Sequence, residues 1–224
     1  MPATDALRQP SRTLVITATA VPLALAVLAD DVRVRRQLHA ARRDPLSGLP
    51  GREALLAYGD RLLRTGRRDQ VHLMLLDGNG FKAVNDTHGH AAGDAVIATT
   101  GRRLAAWTKR RQAVAARLGG DEFAVAAVLP ARTALADITA LREQLHQPLT
   151  HDGRTLHMTV SLGIARAADL PGEDTGRLLR AADAAMYRVK AGEAFPCLAT
   201  YADAYADTVN GRRAGRTGAH LPAA

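Results

Sequence analysis

Arg117-Leu118-Gly119-Gly120-Asp121-Glu122-Phe123 is the stretch whose reading decides the fold. An apolar run from Ala113 to Leu118 precedes the two glycines, and another from Phe123 to Leu129 follows the acids. Both are rich in Ala, Val and Leu and have the length of a strand. Gly119-Gly120 between such runs predicts a tight β-hairpin, because glycine adopts positive φ without a steric penalty. Asp121 and Glu122 follow the turn directly. Adjacent carboxylates at a hairpin tip fill a core poorly and suit a metal ion well.

Working outward, Val71 to Leu76 is a compact apolar strand ended by Asp77. That acid opens Asp77-Gly78-Asn79-Gly80-Phe81-Lys82-Ala83-Val84-Asn85-Asp86, followed by His88-Gly89-His90 and Gly93-Asp94. A calcium loop is excluded here, since the glycine comes too early and no terminal Glu closes a loop of about 12 residues. His88 and His90 are read as local hydrogen-bonding groups at a turn, and Phe81 as a core anchor. Helical spacing covers Arg52 to Leu63, Ala91 to Trp107, Thr133 to Leu145 and Thr175 to Val189. Thr155 to Ala165 is a strand pattern, and Phe195 to Tyr201 a closing strand. Helices alternate with strands around one antiparallel hairpin. This predicts an α+β fold with a mixed central β-sheet flanked by helices. Arg117 is expected to be an ion-pair partner for the acidic site.

Taken with the opening motif Asp44-Pro45-Leu46-Ser47-Gly48-Leu49-Pro50-Gly51-Arg52, these stretches resemble the GGDEF family of diguanylate cyclase domains. The resemblance runs from about Asp44 to about Tyr201, so residues 44–205 are expected to form one palm-like domain. It implies a reaction that joins two GTP into cyclic di-GMP with release of pyrophosphate. It also implies two Mg²⁺ ions per site, with Mn²⁺ as a substitute, held by Asp77, Asp121 and the carbonyl of Gly78. Hard divalent cations take such oxygen ligands. Glu122 corresponds to a position given either a metal-ligand or a base role. Asn85 and Asp94 correspond to the guanine-reading pair. A carboxylate only accepts hydrogen bonds, so it selects the N–H edge of guanine over adenine. Phe81 and Lys82 fall in the loop that wraps the phosphates, and Lys190 in Met186-Tyr187-Arg188-Val189-Lys190 corresponds to a phosphate-contacting lysine. One domain holds one GTP, so turnover implies a homodimer across a two-fold axis.

The chain departs from the family at several points. Asn79 stands where a second acid is usual, and Gly78 where an apolar residue is usual. Lys190-Ala191-Gly192-Glu193-Ala194 lacks an expected arginine. Arg110-Arg111-Gln112-Ala113 lacks the aspartate of a product-inhibition motif, so no inhibition by product is expected there. Two readings follow: an active cyclase, or a degenerate domain that binds GTP or a partner without turnover. A palm-type cyclase of other specificity is disfavoured by Asn85 and Asp94.

Composition bounds the rest. Hydrophobic residues make up 47% of the 224 and aromatic residues 4%, so the core must be built of aliphatic side chains. Cys197 is the only cysteine, which excludes an intramolecular disulfide and a cysteine zinc site. The net charge of +8 comes mainly from arginines near the ends, not interleaved with aromatics, and no nucleic-acid partner is expected. Residues 14–29 are uncharged and mostly apolar, short of the roughly 20 residues of a spanning helix. They are read as an N-terminal apolar helix within 1–30 that anchors the chain in a membrane. A signal segment and a buried helix are the rivals. Arginines concentrated after this run would place the domain on the cytoplasmic side, tethered to the inner face of the cell membrane. Residues 31–43 are read as a connecting helix and 206–224 as a disordered tail.

Overall fold

The computed structural model describes residues 43–172 and 174–205. The apolar run at 14–29, nearly all of the connecting segment and the C-terminal tail lie outside the described residues. Among those described, no helix is long and apolar enough to cross a membrane.

The elements in chain order are α1 (Arg52–Leu63), β1 (Val71–Asn79), α2 (Phe81–His88), α3 (His90–Thr108), β2 (Ala113–Gly119), β3 (Glu122–Val128), α4 (Ala134–His146), β4 (Leu149–His151), β5 (Arg154–Leu156), β6 (Thr159–Arg166), α5 (Thr175–Lys190) and β7 (Cys197–Leu198). Five strands form one sheet in the order β2-β3-β1-β6-β7. β1 is central and antiparallel to both neighbours, whereas β7 runs parallel to β6. The expected mixed sheet is therefore present.

Strand alternation divides the core. Met74, Leu76, Phe123, Val125, Leu162 and Ile164 pack with Val96 and Leu104 of α3 and Ile138 and Leu141 of α4. On the other face, Leu73, Leu75, Ala124 and Ala126 meet Leu55 of α1 and Leu178, Ala182 and Met186 of α5. The period of two sends successive side chains to opposite layers, and since both faces are covered β1 reads as a continuous apolar run. Gly163 marks the closest approach of α5 to the sheet. A Cβ there would lie 2.1 Å from the Ala182 carbonyl oxygen and 2.2 Å from the Met186 nitrogen.

Four expectations need correction. The hairpin turns on Gly120-Asp121, one residue later than read, with Gly119 (φ 147°) ending β2 and Gly120 at φ 53°. A register shift between Arg117 and Gly119 absorbs the extra residue, as a bulge does. Phe81 and Lys82 are not in a loop but open helix α2, whose brevity and flanking glycines hid its period. The strand read at Thr155 to Ala165 is split: β5 pairs with β4 in a separate hairpin, and β6 starts at Thr159. Asp152-Gly153 forms that hairpin's turn with both φ positive, the geometry for which Asp-Gly is a known signal. The closing strand shrinks to Cys197–Leu198, followed by a 3₁₀ turn at Tyr201–Tyr205.

Arg117 pairs with Asp44 rather than with the acidic site. Its Nη1 donates to both Asp44 carboxylate oxygens at 2.9 Å, and its Nε donates to the Gly120 carbonyl at 2.9 Å. Asp44 also accepts the Ser47 backbone N–H at 2.7 Å. Burial raises the Asp44 pKa, but the Ser47 hydrogen bonds and Arg117 outweigh it and hold the carboxyl below its ordinary 3.8. A depressed folded pKa contributes stability above the unfolded value that is lost as pH falls through the folded one. Asp44→Asn should therefore cost ~1–3 kcal/mol near neutral pH. In urea titrations the difference from wild type should begin to shrink as pH falls toward the ordinary 3.8 and vanish only below the lowered folded value. Gly163→Ala should also destabilise, at the upper end of the ~1–3 kcal/mol typical of overpacking, because the atoms it meets are backbone. Thermal denaturation of that variant checks it.

Candidate active site

The candidate residues gather where β1 ends beside the β2–β3 turn. Asp77 is a buried carboxylate, 4% exposed, two residues before the strand ends rather than at its end as read. It sits opposite Glu122 of β3 and Ser161 of β6. Continued alternation aims Asp77 and Glu122 toward the layer of α1 and α5. Lys190, the last residue of α5, donates from Nζ to Asp77 Oδ1 at 2.5 Å. A buried carboxylate requires such a partner.

Asp121 reaches the strand end differently. Its carbonyl accepts the Gly78 N–H at 3.3 Å. Its Oδ2 lies 3.1 Å from the point where a side chain at Gly78 would begin, and Met158 Sδ lies 3.2 Å from the same point. Gly78 directs that vacant position to the face opposite Asp77, so the two carboxylates approach from different sides with the Gly78 backbone between them. The glycine that replaces an apolar residue leaves the space into which Asp121 folds.

Asn79 is held by both of its amide atoms. Its Nδ2 donates to Thr159 Oγ1 at 3.0 Å and its Oδ1 accepts from Ser161 Oγ at 2.8 Å. An ionised acid here could not make the first bond as a donor. Gly80, at φ 74°, then turns the chain into α2, which has no side-chain cap. The Val84 N–H is the first to bond back, to the Gly80 carbonyl at 3.1 Å. The preceding N–H groups form a positive helix end suited to phosphate oxygens.

Asn85 and Asp94 belong to α2 and α3, joined at Gly89 (φ 84°). Gly93 lies beneath Asn85: a Cβ there would be 2.0 Å from Asn85 Oδ1 and 3.2 Å from the Phe81 ring. Phe81 itself packs on the core, as expected. Lys82 and Asp94 are exposed.

Three charged residues escaped the sequence reading. Arg52 of α1 and Arg180 and Asp183 of α5 line a cleft with Glu122, closed by Leu75, Leu118 and Leu179. Asp183 is only 6% exposed. Its signal was visible as an acid inside the run Ala181-Ala182-Asp183-Ala184-Ala185, on the face of α5 that packs against the sheet.

Comparison with known proteins identifies the family. Residues 41–194 match the family described as diguanylate cyclase, GGDEF domain. The chain belongs to the GGDEF family. A 19.3 kDa Streptomyces ambofaciens protein is 43% identical over 173 residues, 77% of this chain and 91% of that protein. Diguanylate cyclase DgcZ of Escherichia coli K12 is 38% identical over 149 residues, 66% of this chain and 49% of DgcZ. The match thus spans about half of that cyclase. The GGDEF domain of PA1120 (TpbB or YfiN) from Pseudomonas aeruginosa superposes with a TM-score of 0.65 at 33% identity, over 72% of this chain and 96% of that one.

A divalent ion is implied by the family. Among the described residues no group of three or more His, Cys, Asp or Glu side chains is arranged as a metal site. The oxygen set at the β1 end nonetheless fits Mg²⁺. It offers the carboxylates of Asp77 and Glu122, which share the face toward α1 and α5, and the peptide carbonyl of Gly78, whereas the Asp121 carboxylate lies on the other face. Mg²⁺ takes one or two carboxylates and completes its shell with water and phosphate.

Proposed function

We propose that the protein condenses two GTP into cyclic di-GMP with release of two pyrophosphates. The observation that carries this reading is the gathering of Asp77, Glu122 and Lys190, from three elements distant in sequence, on one face of the β1 end, with Asp121 against Gly78 on the other. Its kinship with DgcZ supports the same chemistry.

In this reading Asp94 accepts from the N–H edge of guanine and Asn85 bonds the same base, seated over Gly93. The N–H groups opening α2 receive the phosphates, and Lys82 and Lys190 neutralise them. Asp77 and the Gly78 carbonyl hold Mg²⁺ or Mn²⁺, and Asp121 joins them when its side chain turns from the Gly78 face. The bound ion would lower the pKa of the attacking 3′-hydroxyl and neutralise the leaving pyrophosphate. Glu122, beside Arg52 and Arg180, either accepts the 3′-hydroxyl proton or adds to the metal ligands. Each domain holds one GTP, so two copies must face each other, each 3′-oxygen attacking the α-phosphate held by the other. Attachment to the inner face of the cell membrane through residues 14–29 rests on the sequence alone.

Purified protein incubated with GTP and Mg²⁺ should yield cyclic di-GMP by chromatography. Asp121→Ala should lower the rate at least about 100-fold, the scale of losing charge stabilisation at a transferring phosphoryl group. The rate per protomer should fall on dilution through the dimer range. No product from a demonstrably dimeric wild type would leave a GTP-binding module, the reading that Asn79 and the missing arginine favour. Gly93→Ala should displace the Asn85 carboxamide and weaken a non-hydrolysable GTP analogue roughly tenfold, the cost of one lost polar contact. Calorimetric titration measures this.

A further inference from the structure

We propose that His146 is a positioning residue for the site: its imidazole stands in for a missing sheet neighbour at Val160 and so holds the part of β6 that frames Gly78 and Asn79. The effect on turnover rests on the cyclase reading above; the contact at the sheet edge does not.

The register decides which way Val160 faces. Gly78 stands opposite Val160 across β1 and β6, but its N–H bonds to the Asp121 carbonyl on the β3 side. When one member of an antiparallel pair bonds away from its partner, the partner's N–H and C=O also point outward. Ile164, an even number of residues further along β6, does so: its carbonyl accepts the Ala199 N–H at 2.6 Å. Among the described residues β7 pairs with β6 only at Gly163 and Ile164, so that ladder stops short of Val160. Val160 is 3% exposed, and a buried N–H without an acceptor is costly. His146, the last residue of α4, supplies the acceptor. Its Nε2 lies 3.0 Å from the Val160 nitrogen and 3.3 Å from the Val160 oxygen. Arg103 of α3 donates to the carbonyls of Leu145, Gln147 and Pro148, fixing the backbone on both sides of the ring. The residues flanking Val160 then hold β1. Thr159 and Ser161 bond the two ends of the Asn79 carboxamide, and Ser161 stands opposite Asp77.

The contact depends on protonation. A neutral ring accepts the N–H at Nε2, whereas a protonated ring only donates and serves only the carbonyl. Burial and Arg142, one turn earlier on α4, hold the His146 pKa below its ordinary 6.5, and the bond to Val160 offsets them in part. Glu143 of the same helix and His157, three residues before Val160, are exposed. The accepting form is therefore present at neutral pH and is lost as pH falls through the lowered value.

The test compares the full-length wild type with His146→Leu and His146→Gln. It reads Val160 amide exchange by NMR, affinity for a non-hydrolysable GTP analogue with Mg²⁺, and kcat/KM for cyclic di-GMP from about pH 8 down to about pH 5.5, the range in which histidine titrates. In His146→Leu the Val160 amide should exchange at least about tenfold faster. Analogue affinity and kcat/KM should each fall about tenfold, the scale on which small misplacements act. His146→Gln, whose carboxamide accepts the N–H at every pH, should recover most of both. The ratio of wild-type to His146→Gln kcat/KM should then decline as pH falls, because only the wild-type ring protonates. If Val160 exchange is the same in His146→Leu and wild type, the edge contact is wrong and the proposal with it. Faster exchange with unchanged affinity and kcat/KM makes His146 merely structural and overturns the positioning role. A His146→Gln pH profile superimposable on wild type overturns the part given to the ring, and this arm decides if the Leu variant does not fold. If wild type forms no cyclic di-GMP, the cyclase reading has failed. His146→Leu must then still raise Val160 exchange and weaken the analogue for the positioning role to stand.

Discussion

The antiparallel register of β1 governs where chemistry can occur in this molecule. Asp77 stands opposite Glu122 on one side and Ser161 on the other. Strand side chains alternate strictly, so a slip of one residue would bury Asp77 in the opposite aliphatic layer and put Leu76 in its place. The apolar residues before it prevent that slip. Leu73 and Leu75 belong to one layer, Met74 and Leu76 to the other, and all four are at most 4% exposed. The acid is held in place by the hydrophobic pattern that precedes it.

Close backbone approach is the second constraint. Gly163 lets α5 lie against β6, which brings Lys190 at its far end to Asp77. Gly101 admits the Ser47 carbonyl, whose oxygen would lie 2.2 Å from a Cβ there, and so seats the opening motif on α3. From that motif Asp44 reaches Arg117, and Arg117 reaches the Gly120 carbonyl. The hairpin turn is thus tied to a segment more than seventy residues away by charge-assisted hydrogen bonds, which are stronger than neutral ones. Fixing the turn fixes Asp121.

The electrostatics of the site follow from burial. Asp77 and Asp183 are carboxylates in a largely aliphatic interior, where an uncompensated charge is costly. For Asp77 the compensation is a lysine on a different element, and a cation-balanced carboxylate is also one that a divalent ion can claim. The Arg52, Arg180, Asp183 and Glu122 cleft lies against the same hairpin, so the second acid after the turn faces positive charge from both α1 and α5. The replacement of a usual acid by Asn79 has a local structural reading as well: a carboxamide both donates to Thr159 and accepts from Ser161, joining β1 to β6 just beyond Asp77.

From the sequence by itself came the α+β class, the extent of α1, α3, α4 and α5 to within a residue or so, and the two acid-bearing motifs, because those depend on local periodicity and on glycine chemistry. The short helix α2 was hidden, since eight residues between glycines show too little period. The β4–β5 hairpin was overlooked although Asp152-Gly153 announced it, because its strands are short and polar. Only the tertiary structure decided which charges meet. Arg117 was expected at the acidic site, yet its neighbour in space is Asp44. Lys190, read as a phosphate contact, also meets Asp77 across the site. Arg52, Arg180 and Asp183 join Glu122 from helices more than a hundred residues apart. Ion pairs between distant elements leave no periodic mark in a chain; they are set by helix packing and strand register, and those exist only once the core has formed.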